Sequence, residues 1–172
     1  MTNKYESNFS FGTLTSIEVE SFGEPGSRTF RLSLVAGKAS AFLWLEKDHL
    51  EHVSSYVLEV SRTLSKEDLG ESEPMLEAPW DGEARNYDFK VGQLSLGHDA
   101  SSKSFLFLVH RQDVEDHAPA DISFWIPLTM AERLSAETIE ICNAGRPKCF
   151  LCNQPINREG HMCVRSNGHV SL

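Results

Sequence analysis

Residues 28–64 read RTFRLSLVAGKASAFLWLEKDHLEHVSSYVLEVSRTL. Phe30, Leu32 and Leu34 occupy alternate positions, the period of a strand with one face on a core. Ala36-Gly37-Lys38 is a short hairpin connection, and Ala39–Leu45 is an apolar run of strand length. The period then changes. Leu50, Val53, Val57, Val60 and Leu64 advance by three and four, which marks one face of a helix. Asp48 with Glu51 has capping-box spacing at its start. Upstream, Phe11–Phe22 has strand composition and runs into Gly23-Glu24-Pro25-Gly26-Ser27. Pro25 presets its own φ and Gly26 accepts a positive one, so Glu24 to Ser27 suits a type II turn. The unit reads β-β-β-α.

The same order recurs downstream. Tyr87–Leu96 is strand-like, His98–Ser102 is a turn, and Lys103–His110 alternates with Phe105, Phe107 and Val109 on one face. A polar loop with Asp113, Glu115, Asp116 and Pro119 leads to the apolar strand Ile122–Leu128. Thr129 and Glu132 form a capping box, and Ala131, Leu134, Thr138 and Ile141 make an inner helix face. Gly145 and Pro147 are stop signals. Short stretches match between the units: Gly12-Thr13-Leu14 with Gly92-Gln93-Leu94, Ser27-Arg28-Thr29-Phe30 with Ser102-Lys103-Ser104-Phe105, and Ala41–Leu45 with Ser123–Leu128. The pattern predicts an α+β fold in which two β-β-β-α halves pack as one duplicated body over residues 1–145.

The charge is divided unevenly. The 172 residues carry a net charge of -9, made of -12 over residues 1–141 and +3 over residues 142–172. Seven acidic residues and no Lys or Arg lie in 67–84, with Pro74 and Pro79 among them, so this stretch reads as a solvated linker pinned by Trp80. An acidic body disfavours nucleic acid and anionic membrane as partners, and leaves nucleic acid open only for the tail. The longest purely apolar runs, Ala41–Leu45 and Phe105–Val109, are five residues each, far short of a membrane span. Residues 1–10 contain no apolar h-region, so no secretory signal is visible.

All four cysteines, Cys142, Cys149, Cys152 and Cys163, fall in the basic tail. Cys149-Phe150-Leu151-Cys152 places two thiolates on one tight turn. Gly160-His161-Met162-Cys163 puts an imidazole and a thiolate on the same side of an extended segment. Cys149, Cys152, His161 and Cys163 make a closed tetrahedral set suited to structural Zn2+, a zinc knuckle over 146–172. His169 is the alternate fourth ligand, and the short gap to Cys163 favours His161. Cys142 reads as a buried free thiol at the end of the second helix. A segment this short has almost no core, so metal binding supplies its folding free energy.

No catalytic constellation assembles. His49, His52, His98, His110 and His117 are dispersed, and His49 with His52 lacks a third ligand. No phosphate loop or nucleophile elbow occurs. Glu24 and Arg28 at the first turn are the remaining candidates for holding a small ligand or a partner's backbone.

Gly23-Glu24-Pro25-Gly26-Ser27-Arg28-Thr29-Phe30, Leu45-Glu46-Lys47, and the ending Gly145-Arg146-Pro147-Lys148-Cys149-x-x-Cys152 through Gly160-His161-x-Cys163-x-Arg165-x-Asn167-Gly168-His169 together resemble the bacterial domain of unknown function 3090 family. Phe150, Asn153 and Val164 stand where that family commonly has Pro, Gly and Pro. The resemblance implies a cytoplasmic protein without assigned activity, in an accessory role beside a phosphomutase-like phosphatase and a lipid-kinase-like protein. The expectation is a non-enzymatic zinc-binding interaction protein with a protein partner. The alternatives are a nucleic-acid-binding regulator acting through the basic tail, and an enzyme with a cleft between the halves.

Overall fold

The computed structural model describes residues 6–24, 27–67, 77–113, 115, 117–144, 149–153, 156 and 163, with side chains in the first helix described as far as Thr63. The elements in chain order are β1 (Ser7–Thr13), β2 (Ser16–Phe22), β3 (Thr29–Ala36), β4 (Ala39–Leu45), α1 (Lys47–Glu67), β5 (Arg85–Asp99), β6 (Ser104–Arg111), β7 (Ala120–Pro127) and α2 (Leu128–Asn143). Seven strands form one sheet in the order β1-β7-β6-β5-β4-β3-β2, and the fold is a mixed α+β fold with two helices.

The expected single strand over Phe11–Phe22 is two strands. Gly12, in the left-handed region at φ 68°, lies in β1 where its register with β7 shifts between Ser10 and Thr13, and Leu14 and Thr15 then separate β1 from β2. β1 pairs in parallel with β7 at one end of the strand order, and β2 pairs antiparallel with β3 at the other. Between β1 and β2, the Leu14 N–H donates to the Trp125 carbonyl at 2.9 Å and the Thr15 N–H to the Val35 carbonyl at 2.7 Å. Two consecutive residues therefore tie the first and last strands of the order together. A flat sheet could not bring them this close, so the sheet curls around its core.

Alternation within the strands sets which face looks inward. Phe30, Leu32 and Leu34 of β3, Leu43 and Leu45 of β4, Phe105, Phe107 and Val109 of β6, and Ile122, Phe124 and Ile126 of β7 are all buried in one cluster. Phe107 and Phe124 face each other across the β6–β7 ladder and stack at 4.7 Å between ring centroids. Both helices seal this cluster. Leu50, Val53, Val57 and Val60 of α1 are buried in it, as are Ala131, Leu134 and Cys142 of α2, while Ile141 is only partly covered. Where the helices meet, the Ser135 hydroxyl donates to the Ser54 carbonyl at 3.3 Å.

The helix starts differ from expectation. His49, not Glu51, closes the first turn of α1: the Glu46 N–H donates to His49 Nδ1 at 3.1 Å while the Glu46 carbonyl accepts from the His49 N–H at 3.1 Å. This is capping-box logic with an imidazole in place of the carboxylate, two residues earlier than the Asp48–Glu51 pair. In α2 the residue before the helix is Pro127 in an extended conformation, and no side chain caps the first turn. Thr129 and Glu132 consequently do not act as a cap. The N–H of Leu128, the first helical residue, donates to the Lys103 carbonyl at 2.9 Å.

The acidic stretch returns to the sheet at its end. The Glu77 carbonyl accepts from the Thr13 N–H at 2.9 Å, and the Trp80 N–H donates to the Phe11 carbonyl at 3.0 Å, so residues 77–80 run as a strap along β1. The Trp80 ring lies 4.7 Å from the Phe9 ring, centroid to centroid, and its Nε1–H donates to the Glu83 carbonyl at 2.8 Å. The strap fits because Gly12 and Gly37 have no side chains. A Cβ on Gly12 would stand 1.9 Å from the Ala78 carbonyl oxygen, and one on Gly37 would stand 2.1 Å from that of Trp80. Both have positive φ. Gly37→Ala is expected to destabilise the protein by about 2 kcal/mol or more, from αL strain and the backbone collision together. Gly97→Ala, where a Cβ meets nothing closer than Leu106 at 4.0 Å, is the matched control. The measurement is the urea midpoint, which should fall for Gly37→Ala and hold for Gly97→Ala.

Candidate metal centre

The last turn of α2 delivers the chain to the cysteines, and Arg28 secures that turn. Its guanidinium donates through Nη1 to the Ile141 carbonyl at 2.9 Å and through Nη2 to the Ala144 carbonyl. A helix C-terminus leaves unsatisfied carbonyls carrying partial negative charge, and a planar cation satisfies two of them at once. Arg28 thus spends its donors inside the chain, on the element that precedes the tail. The Ser27 N–H donates to the Glu24 carbonyl at 2.9 Å, closing the first turn, whose central residues Pro25 and Gly26 lie outside the described residues. Cys142 sits beside this arrangement. Burial raises its thiol pKa and the Glu51 charge raises it further, against the lowering effect of Arg28.

Beyond the helix, the Asn153 N–H donates to the Cys149 carbonyl at 2.8 Å, closing a turn over Cys149–Asn153, with Asn153 in the left-handed region at φ 62°. Asn tolerates that conformation better than most side chains, which explains its place where a glycine would also serve. The turn folds Cys149 and Cys152 toward one point, and Cys163 returns to the same point. The three sulfurs lie within 4.8 Å of one another, and Cys149 Sγ and Cys163 Sγ are 3.8 Å apart. No disulfide joins Cys149 to Cys163, since 3.8 Å is far beyond the roughly 2.05 Å of an S–S bond. Cys149 and Cys163 are each 2% exposed and Cys152 is half-buried. Three soft donors this close, two of them shielded from water, can hold a metal ion. His161 and His169 lie outside the described residues.

The remaining histidines do not converge on this centre. His49 completes the α1 cap through Nδ1, and its Nε2 lies 3.2 Å from the Gly92 carbonyl, so that nitrogen carries the proton. His98 Nδ1 lies 2.8 Å from the Tyr56 hydroxyl. His110 and His117 line a cavity of about 490 Å³ beside the β6–β7 loop, together with Arg111, Asp113, Glu115 and Gln93. Neither Glu24 nor Arg28 belongs to it. This cavity escaped the sequence reading because a loop rich in Asp, Glu and Pro carries no signal for the concavity it encloses. Also unanticipated is the exposure of Phe150, which stands 87% exposed between the two cysteines of the turn.

Arg28→Met is expected to cost about 1–2 kcal/mol through the lost C-terminal cap. It should also speed alkylation of the Cys142 thiol as the last turn of α2 frays. Thermal unfolding and thiol mass labelling on the same variant check both outcomes; a Tm equal to the parent's would show that the guanidinium contributes nothing there.

No curated protein and no solved structure matches this chain. A model for one protein family does, described as protein of unknown function (DUF3090), and it spans residues 9–163, from the first core phenylalanine of β1 to the last cysteine of the cluster. The chain, from its curled sheet to its cysteine-bearing tail, belongs to the DUF3090 family.

Proposed function

We propose that this chain is a zinc-binding interaction protein without catalytic activity, in which a body over residues 1–145 presents a zinc knuckle formed by residues 146–172. One observation carries the reading. In a tetrahedral site with Zn–S bonds near 2.3 Å, two sulfurs stand about 3.8 Å apart, the edge of the tetrahedron. Cys149 Sγ and Cys163 Sγ are separated by 3.8 Å. Cys149, Cys152 and Cys163 hold the ion, and His161 supplies the fourth bond, with His169 as the alternate. A site with four protein ligands has no open position for water, so the metal's contribution is to fix the turn. Arg28 supports this by anchoring the helix end from which the tail departs.

The duplicated architecture of the body is part of the same reading, and strand register supports it. Phe30, Leu32 and Leu34 oppose Leu45, Leu43 and Ala41, while Phe105, Phe107 and Val109 oppose Ile126, Phe124 and Ile122. The same spacings relate the two hairpins without a slip. Leu50, Val53, Ser54 and Val57 correspond in position to Ala131, Leu134, Ser135 and Thr138, and these inner faces pack together. Thr13 opposes Trp125 and Lys90 opposes Trp44, which pairs Thr13 with Lys90. The likeness of Gly12-Thr13-Leu14 to Gly92-Gln93-Leu94 therefore lends the duplication no support.

Purified protein is expected to contain one zinc per chain by elemental analysis. Cys149→Ser should lose it while moving the main thermal transition by less than about 3 °C, because the body has its own core. Acidification should release the ion as the thiolates protonate. Protein purified without zinc, or collapse of the whole fold in Cys149→Ser, would overturn the reading.

A further inference from the structure

We propose that Phe150 anchors a reciprocal contact between two copies of this chain, each Phe150 entering the acid-rimmed cavity beside the β6–β7 loop of the other. Phe150 is 87% exposed, whereas Phe22, Phe42 and Leu58, other exposed large apolar side chains, are each 42% exposed. Partial exposure of single apolar residues is ordinary, but a nearly bare phenyl ring on a closed turn is not. The Asn153–Cys149 hydrogen bond and the buried Cys149 hold the turn that carries it. A ring presented on a rigid turn loses little freedom on binding and so suits an anchor. To this extent the proposal rests on the metal-held knuckle.

Charge selects the partner. The tail carries +3 and the body of the same chain carries -12, so the tail of one copy is drawn to the body of another while a polyanion is repelled by most of the molecule. Lys148 precedes the tip by two residues.

The receiving site is built by an excursion of the chain. β3 and β4 are joined by the two residues Gly37 and Lys38, whereas the connection between β6 and β7 takes the eight residues 112–119. The longer loop passes Asp113 and His117 through the left-handed region, at φ 68° and 72°. It encloses about 490 Å³ against Gly92 and His110, room for a benzyl group. His110 and His117 are among the side chains that line the cavity. Asp113 and Glu115 supply carboxylates for a cationic tail, while Arg111 is held by Asp121 through a 3.1 Å ion pair. A tip-to-cavity contact made twice closes on a two-fold axis and stops at a dimer.

Sedimentation velocity of the full, zinc-loaded chain between about 1 μM and 1 mM tests this, a range that brackets weak to moderate dimers. The expected result is a monomer–dimer equilibrium whose dissociation constant rises about tenfold or more in Phe150→Ser and in the pair Asp113→Asn/Glu115→Gln. Added salt should weaken it as well. A chain that stays monomeric throughout, or a dimer indifferent to Phe150→Ser, overturns the proposal. So does Phe150-dependent binding of a single-stranded oligouridylate probe by a monomeric chain. Zinc content measured on the same samples separates the two readings: a Phe150-dependent dimer lacking zinc removes the knuckle's metal and leaves the contact standing.

Discussion

Strand β5 is the constraint on which the rest of the structure depends. Its first residues, Arg85 to Lys90, pair in parallel with β4, and Val91 to Asp99 pair antiparallel with β6. One strand therefore belongs to two meanders, and a register shift between Val91 and Gln93 lets it bend from one to the other. Without that bend the two meanders would form separate small sheets, each with a single helix to cover it. With it, they share a continuous inner face, and α1 and α2 can pack side by side over one cluster. β1 and β2 make the corresponding passage at the far side, separated by Leu14 and Thr15.

Closing a curled sheet leaves its seams to be filled. The strap at residues 77–80 covers the outer side of β1, at the cost of forbidding side chains at Gly12 and Gly37. The β6–β7 loop folds back beside β5 and β6 and leaves a cavity there. Arg28 serves a similar end at the helix terminus, reaching across from the β2–β3 turn to two carbonyls of α2. Arg28 thus ties the end of α2, the last described helix before the tail, to the body, while Cys149 and Cys163 are buried outside the main core cluster.

Much of the fold was legible because hydrophobic period is a direct record of burial. Strand β4 begins and ends where its apolar run does, and Leu50, Val53, Val57 and Val60 are the buried face of α1. The three cysteines were legible because thiolate spacing and turn chemistry are local. What failed was local in appearance and tertiary in cause. Asp48 and Glu51 have the spacing of a cap, but Glu46 precedes the helix and His49 reaches its N–H. Glu24 and Arg28 look like a surface motif, yet Arg28 is turned to a helix 113 residues away. Thr129 and Glu132 lose their capping role because Pro127 stands before the helix and α2 begins at Leu128.

By itself, the sequence determined the element order apart from the division of the first strand, the inward faces of the strands and helices, the acidic body with its basic tail, and the cysteines available to a metal. Each of these follows from residue types at short spacing, where sterics, burial and charge act along the chain. Only the tertiary structure decided that β1 separates from β2 to pair with β7 and that residues 77–80 strap the seam at two glycines. It likewise decided that Arg28 caps α2, that Cys149 and Cys163 approach to 3.8 Å, and that Phe150 points away from the body. These are contacts between residues far apart in sequence, set by how a curled sheet closes, and no local pattern encodes which distant partner a side chain will meet.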